Sequence, residues 1–122
     1  MSSVTSTTSL TDFINLLDSD PESVSFEQVM QVIVENYKYT PATFTNGDAV
    51  NEAGTNEGSC KIFYFAKLNE LTEQQTLACF AQYYREDVLN HPEGNDHGNI
   101  RNFMQTGWDK VEFNSVALTP LS

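Results

Sequence analysis

The strongest constraint on the fold is a series of five short segments whose apolar residues recur at helical spacing. In the first, Leu10, Phe13, Ile14 and Leu17 share one helix face. The corresponding faces of the other four are Phe26, Val29, Met30, Ile33 and Tyr37; Ile62, Phe63, Phe65, Ala66 and Leu68; Leu77, Phe80, Ala81, Tyr84 and Val88; and Ile100, Phe103, Met104 and Trp108. The third segment is apolar nearly all round, a pattern that buried helices and buried strands share, and we predict a helix. We expect these faces to form one interior.

Capping signals place the ends of these helices. Ser25 with Gln28 and Thr72 with Gln75 have the spacing of capping boxes, so helices should begin directly after Ser25 and Thr72. Ser9 is the expected cap of the first helix, and Asn95 or Asp96 that of the fifth. The fourth helix should run until His91-Pro92 stops it.

The pattern changes after Trp108, where Val111 and Phe113 alternate with polar residues as in a short strand. Thr43-Phe44-Thr45 is the best candidate for its partner. The 122 residues leave room for one core. We therefore predict an α+β fold: a helix-dominated single domain over residues 10–122, with about five helices and a small two-stranded sheet, preceded by a disordered leader over residues 1–9.

The charge balance excludes some classes of partner. The chain has 17 acidic and 6 basic residues, a formal net charge of −11 and a pI near 4.2. Nucleic acids and anionic membrane surfaces are bound mainly through clustered Lys and Arg, so neither is an expected partner. Nine of the acids and only one base, Lys38, lie in residues 1–60. This half offers an acidic face for a basic partner, or a solvated surface that maintains solubility.

The termini and cysteines bear on location. The leader MSSVTSTTS has no basic region and no apolar stretch, so it is not a secretory signal. Cys60 and Cys79 are expected as reduced thiols in a cytoplasm. The uncharged Ser/Thr-rich leader is also of the kind that type III secretion accepts, although an ordinary flexible tail has the same composition.

The loop Asn46–Ser59 is too long and polar for a simple connector. Its side-chain oxygens could suit calcium, but their spacing does not follow the EF-hand pattern, and its GSCK end does not match a phosphate loop. We expect no metal here, and we take Asn46, Asn51 and Asn56 as candidate binding residues.

Cys60 is the better candidate nucleophile of the two cysteines. It lies at the predicted start of a helix beside Lys61, and both features favour a thiolate. His97 could act as its base if the fold brings them together. The alternative for Cys60 is a small buried residue at the helix start, and Cys79 is expected to be an inert core thiol.

The loop His91–Asn99 contains both histidines of the chain. His91, Asp96 and His97 could form a metal site, although their spacing is a weak signal beside a structural turn. Arg85 and Arg101, two of the six bases, could pair with nearby carboxylates or capture an anion.

Several longer blocks resemble the HopJ type III effector family. These are TPATFTNG, NEAGTNEGSCK, TLACFAQYYREDVL, HPEGNDHGNIRNFM and GWDKVEF, within a resemblance that extends from about Phe26 to Leu118. The resemblance implies that both polar loops belong to the domain. It also implies export through type III secretion as an alternative location. It brings no catalytic residues and no known mechanism.

Together these observations favour a binding or interaction module of a small acidic bacterial protein. We expect the two loops to converge near Tyr84, Arg101 and Trp108 and to take an unidentified protein or small-molecule partner. The alternatives are a cysteine-nucleophile enzyme using Cys60 and His97, or a metal-dependent site at His91, Asp96 and His97. No particular cofactor is indicated.

Overall fold

Five α-helices provide most of the secondary structure in the computed structural model, which describes residues 10–94 and 97–121. They are α1 (Leu10–Ser19), α2 (Phe26–Asn36), α3 (Glu57–Leu68), α4 (Glu73–Ala78) and α5 (Gly98–Thr106). Two 3₁₀ turns, Pro21–Ser23 and Gly107–Lys110, and a π-helix, Tyr83–Val88, complete the helical part. No helix in these ranges is long and apolar enough to cross a bilayer.

The predicted caps form where the sequence places them. Ser25 Oγ accepts from the Gln28 amide at 3.1 Å, and Thr72 and Gln75 make the complete reciprocal box at 3.0 and 2.9 Å. Such caps contribute about 1 kcal/mol each. The other expected caps, Ser9, Asn95 and Asp96, lie outside the described residues, as does the leader over residues 1–9.

The strands form two small antiparallel sheets. They are β1 (Tyr37–Tyr39), β2 (Phe44–Asn46), β3 (Ala49–Asn51), β4 (Val111–Phe113) and β5 (Leu118–Pro120). β2 pairs with β4, with Phe44 opposite Phe113, which confirms the pairing expected from the sequence. β2 also pairs with β3, and β1 pairs with β5, so the sheet content is larger than the two strands predicted. The helix-rich α+β fold class is confirmed.

Phe63 of α3 lies at the centre of the core. Its ring is 5.1–6.2 Å from the rings of Phe44, Phe80, Phe103 and Trp108, which come from four different parts of the chain. Complete burial of one such side chain is worth about 1.5–3 kcal/mol. α3 is therefore the buried helix that its nearly all-round apolar composition predicts.

The fourth predicted helix is interrupted. α4 ends at Ala78, and the buried Ala81 has a left-handed φ of +56° before the π-helix begins at Tyr83. That conformation costs an alanine about 1–2 kcal/mol. After the break, Gln82 Oε1 accepts from the Phe26 amide at 3.3 Å, so the redirected chain satisfies a backbone donor at the start of α2.

The fifth helix is shorter than its apolar pattern suggests. It ends at Thr106 because Gly107 adopts φ +63°, which places Trp108 in the following 3₁₀ turn. The indole nevertheless packs on Phe103, with ring centres 5.0 Å apart.

Candidate functional site

The two polar loops meet through buried asparagine side chains. Asn46 Nδ2 donates to the backbone oxygen of Asn99 at 2.8 Å and to its side-chain oxygen at 3.1 Å. Asn51 and Asn99 donate to each other's side-chain oxygens at 3.2 and 3.0 Å. Asn102 Nδ2 donates to the backbone oxygen of Asn46 at 3.1 Å. The loops therefore converge, held by side chains from both.

Burial makes these contacts important for the position of the loops. Asn46, Asn51 and Asn99 are buried, and a buried amide that loses its partner costs about 1–3 kcal/mol. Asn46 is fully buried, and its Oδ1 has no hydrogen-bond partner within the described residues. A displacement of either loop would leave further polar atoms of this cluster unsatisfied.

The residues just before α3 and α5 have the same unusual backbone conformation. Asn56 has φ 49° and ψ 47°, and His97 has φ 51° and ψ 50°. Asparagine and histidine are among the non-glycine residues found most often in this region. Asn56 Nδ2 also donates to Asn51 Oδ1 at 2.7 Å, which joins the start of α3 to the asparagine cluster.

A cavity of about 580 Å³ opens between the two loops; we call it the interloop cleft. Ligand pockets in proteins typically have volumes of about 300–1,000 Å³. Its lining consists of Phe26, Ala49, Val50, Asn51, Asn56, Gly58, Ser59, Phe80, Tyr83, His97, Gly98, Asn99 and Ile100. Aromatic rings thus face the amides of the asparagine cluster and the first turns of α3 and α5.

The lining of the cleft is unlike the rest of this acidic chain. Among the described residues that line it there is no Asp, Glu, Lys or Arg, although the chain has a net charge of −11. His97 is the imidazole in that lining. Recognition in this cleft would therefore depend on hydrogen bonds and apolar contact.

His97 is held in a defined orientation. Its Nε2 lies 3.0 Å from Oδ2 of Asp87 on the π-helix, and its ring centre is 5.4 Å from that of Tyr83. Both His97 and Asp87 retain some exposure to solvent. A carboxylate on one imidazole nitrogen fixes the ring and the tautomer, as it does in many acid–base sites.

Arg101 stabilises the loop His91–Asn99 through hydrogen bonds to its backbone. Its guanidinium donates to the backbone oxygens of His91 at 2.8 Å and Pro92 at 3.4 Å. Gly94 packs so closely that an added Cβ would lie 2.8 Å from Nη2 of Arg101. Arg85 has an equivalent role elsewhere, because it donates to the Val24 oxygen at 2.9 Å.

Comparison with known proteins places the chain in a family. The family model described as HopJ type III effector protein matches residues 10–118, nearly the whole chain. The chain belongs to the HopJ type III effector family. The resemblance expected from its sequence blocks is thereby confirmed.

A solved structure supports the fold. The crystal structure of VPA0580, a protein of unknown function, is 55% identical to this chain and superposes with a TM-score of 0.92. The match covers 93% of this chain and 95% of that one. A search of curated proteins finds no significant match.

Cys60 has a different environment from the one its sequence position suggests. Its thiol is buried and donates to the Ala42 carbonyl oxygen at 3.7 Å, and burial raises the pKa of Cys60 above the ordinary value. Lys61 opposes this rise only weakly, and its ammonium lies over the Tyr39 ring at 4.7 Å. These features describe a protected thiol and argue against an activated thiolate.

Cys60 and His97 do not share the cleft of this HopJ-family domain. His97 lines the cleft, whereas the residue of α3 that lines it beside Gly58 is Ser59. Cys79 is fully buried, and burial raises its thiol pKa. The geometry therefore argues against the Cys60–His97 pair, and the core role expected for Cys79 agrees with its burial.

Two other candidate residues lie away from the cleft. Tyr84 lines a second cavity on the far side of α4, where its hydroxyl accepts from Gln74 Nε2 at 3.3 Å. Trp108 packs on the core rings of Phe63 and Phe103. The loops converge instead near Phe26, Phe80 and Tyr83. The break at Ala81 changes the direction of the segment that carries Tyr84, and Gly107 ends α5 and places Trp108 in the following 3₁₀ turn.

The metal alternative finds little support in the ranges 10–94 and 97–121. No group of three or more His, Cys, Asp and Glu side chains there could hold a metal ion. Asp96, one of the three suggested ligands, lies outside these ranges. His91 is exposed, and His97 is paired with Asp87.

Sequence reasoning missed Asp87 and Val50 near this site. Asp87 contacts His97 because it lies on the π-helix, and no local sequence pattern predicts a π-helix there. Val50 lies in β3, which follows the two-residue turn Gly47-Asp48, and a Gly-Asp pair between two short strand-like segments is a hairpin signal that could have identified β3.

Proposed function

We propose that this HopJ-family domain is a binding module whose interloop cleft takes a small ligand with an apolar body and hydrogen-bonding groups. The observation that carries the proposal is the cleft itself, a ligand-sized cavity whose floor is the reciprocal amide pair Asn51–Asn99. Buried amides held by one another define fixed positions for a polar ligand group.

The two sides of the cleft would have different roles. Phe26, Phe80 and Tyr83 would contact the apolar body of the ligand. Asn51, Asn56 and the backbone amides that open α3 and α5 would face its polar groups, since first-turn amides have no acceptor within their own helix. Asn46 and Arg101 would act indirectly, by holding the loops.

Gly98 offers a way to block the cleft without damaging the fold. It lines the cleft at the first position of α5, and a Cβ built there meets no heavy atom within 4 Å. Leucine is also a better helix former than glycine by roughly 0.8 kcal/mol. We therefore expect Gly98→Leu to fold normally while filling part of the cavity.

The test is a fragment screen by protein-observed NMR on the full chain. Fragments that carry an aromatic ring and an amide or carboxyl group should shift the amides of Val50, Ser59 and Tyr83, and Gly98→Leu should abolish those shifts. Val50→Lys should weaken binding and Val34→Lys should not, because the two valines are 68% and 64% exposed but only Val50 lines the cleft. Hits that persist in Gly98→Leu would contradict the proposal.

The His97–Asp87 pair favours a second candidate, general acid–base chemistry on a ligand held in the cleft. An imidazole oriented by a carboxylate can take a proton from a water molecule or a ligand hydroxyl. Hydrolysis of p-nitrophenyl acetate provides a first assay, with a rate at least about tenfold lower in His97→Gln and Asp87→Asn. The exposed His91 is the matched control. An equal loss in His91→Gln would assign the reaction to surface imidazoles.

For location, we infer that the protein works in the bacterial cytoplasm, with export through type III secretion as the alternative raised by the family name. Two buried free thiols suit a reducing compartment. A reporter fused to the C-terminus of the full chain distinguishes these options. Its appearance in target cells only when the secretion apparatus is intact would replace the cytoplasmic assignment.

A further inference from the structure

A second cavity, of about 430 Å³, lies between the end of α1, the 3₁₀ turn Pro21–Ser23, α4 and the π-helix. We call it the acidic groove and define it by Leu17, Asp18, Glu22, Ala78, Tyr84 and Leu89, which are among its lining residues. It shares no lining residue with the interloop cleft, so its role is independent of the function proposed for that cleft.

The surface of the groove is apolar at the bottom and on one wall. Leu17 and Ala78 are buried at its base, and Leu89 on the wall is 48% exposed, a large aliphatic side chain open to solvent. Leu89 and the apolar base belong to the lining of one cavity, and contiguous apolar surface open to solvent is a common feature of protein interaction sites.

Arg85 holds the walls in place. Its guanidinium donates from the π-helix to the backbone oxygens of Pro21 at 3.5 Å and Val24 at 2.9 Å. Gln74 donates to the Tyr84 hydroxyl at 3.3 Å, which connects α4 to the π-helix. The groove is therefore formed before any partner arrives, which lowers the entropic cost of binding.

The rim of the groove is negatively charged. Asp18 and Glu22 are exposed, and neither has an ion pair with any residue that the structure describes. Between residues 10 and 37 the sequence has six acidic residues (Asp12, Asp18, Asp20, Glu22, Glu27 and Glu35) and no Lys or Arg. Among the described residues of the lining Arg85 is the one cation, and its donors are directed at backbone oxygens.

We propose that the acidic groove docks a segment of another protein that carries Lys or Arg beside a leucine-like anchor. The aliphatic anchor would cover Leu17, Ala78 and Leu89, while the cations would approach Asp18 and Glu22. Charge complementarity selects this occupant. A second copy of the chain has the same net charge of −11, and residues 1–9 contain no charged side chain, so neither supplies the cations.

The probe is a synthetic amphipathic peptide of about twelve lysine and leucine residues, added to the full chain and followed by NMR and calorimetry. It should shift the amides of Leu17, Ala78 and Leu89. The charge reversals Asp18→Lys and Glu22→Lys together should weaken binding about tenfold at low salt. The control pair Glu52→Lys and Glu112→Lys makes the same change in net charge at exposed positions away from the groove and should change affinity less than about twofold.

Two further experiments test the contact between the leucine-like anchor of the peptide and Leu89. Leu89→Ser should weaken the peptide several-fold without altering the fold, since Leu89 is half exposed. A peptide with serine in place of leucine should bind far less tightly than the original. If it bound equally well, the interaction would be general electrostatics and the proposal would fail.

Other outcomes also overturn the proposal. An equal loss of affinity in the two charge-reversal pairs would mean that no specific groove is used. A dimer of the free protein that Leu89→Ser dissociates would assign the groove to a second copy. Shifts of residues 1–9 that show them leaving the groove on peptide addition would assign it to the chain's own N-terminus.

Discussion

Asn51 and Asn99 donate to each other's side-chain oxygens, at 3.2 and 3.0 Å, although they lie in different loops and are both buried. This reciprocal pair joins the loop Asn46–Ser59 to the loop His91–Asn99. Removal of one side chain leaves the amide nitrogen of the other without its acceptor, whereas the remaining oxygen keeps a second donor, Asn56 for Asn51 and Asn46 for Asn99.

Asn99→Ala should lower the free energy of unfolding by about 2–3 kcal/mol, because the Asn51 amide loses its acceptor and Asn46 loses one of its two. Urea denaturation measures the change. Asn90→Ala, at an exposed position, should stay within about 0.5 kcal/mol of the wild type. Equal stabilities for the two variants would show that the asparagine cluster does not hold the loops.

Glu70→Gly should stabilise the protein by about 1 kcal/mol. Glu70 is exposed, has φ +55°, and ends α3 in a turn where the Leu71 amide donates to the Ala66 oxygen at 2.9 Å. Glycine adopts this conformation without the steric cost. Thermal denaturation followed by circular dichroism tests this, with Glu52→Gly as a control that should not gain stability, since its φ is not positive.

Gly107→Ala should destabilise the protein by about 2–3 kcal/mol. Gly107 has φ 63° and ψ −157°, a region almost restricted to glycine, and an added Cβ would lie close to the Glu73 carboxylate. The double variant with Glu73→Ala should recover only the steric part of the loss. Gly98→Ala, with open space around its Cβ, should cost nothing, and a similar loss there would contradict this reasoning.

Stability should fall as the pH rises above about 8.5, the ordinary pKa of a free thiol. Burial raises the thiol pKa of both Cys60 and Cys79 in the folded state, so above this pH the unfolded chain releases protons that the folded chain retains. The loss approaches about 1.4 kcal/mol per pH unit for each thiol while only the unfolded form ionises. Denaturation at pH 8, 9 and 10 measures it.

Cys79→Ala should reduce that slope, since it removes the more completely buried thiol. In the native protein at pH 7, iodoacetamide should label both cysteines slowly, at a rate limited by unfolding. Fast labelling of Cys60 alone would restore the nucleophile hypothesis.

Features specified within a few residues are the ones that the sequence predicts well. Ser25 and Thr72 cap their helices as expected because the cap and the amide it accepts from are three residues apart. The pairing of the segment Thr43-Phe44-Thr45 with the strand that contains Val111 and Phe113 is also predicted, since each is a short strand-like segment with no better partner, and the structure adds the register, Phe44 opposite Phe113. The asparagine-rich composition of the two loops indicated a site, although not how it is assembled.

Features that depend on distant contacts escape such reasoning. β1 was not predicted because Tyr37 also fits the apolar face of the preceding helix, and the partners of β1, Leu118–Pro120, lie at the other end of the chain. Alanine is an excellent helix former, so no local rule predicts left-handed backbone at Ala81. Because the chain changes direction at that break, Tyr84 lies at the second cavity and not beside the two loops as expected, and the contact between Asp87 and His97 was not predicted.

Trp108 is the chain's single tryptophan, so tryptophan fluorescence of this protein reports on one position. The indole touches Phe63 and Phe103 and lines neither the interloop cleft nor the acidic groove. Its intrinsic fluorescence therefore follows the integrity of the central aromatic cluster without direct quenching by a molecule at either surface. An emission change on ligand addition would accordingly mean that occupancy is transmitted through α5 or α3 into the interior.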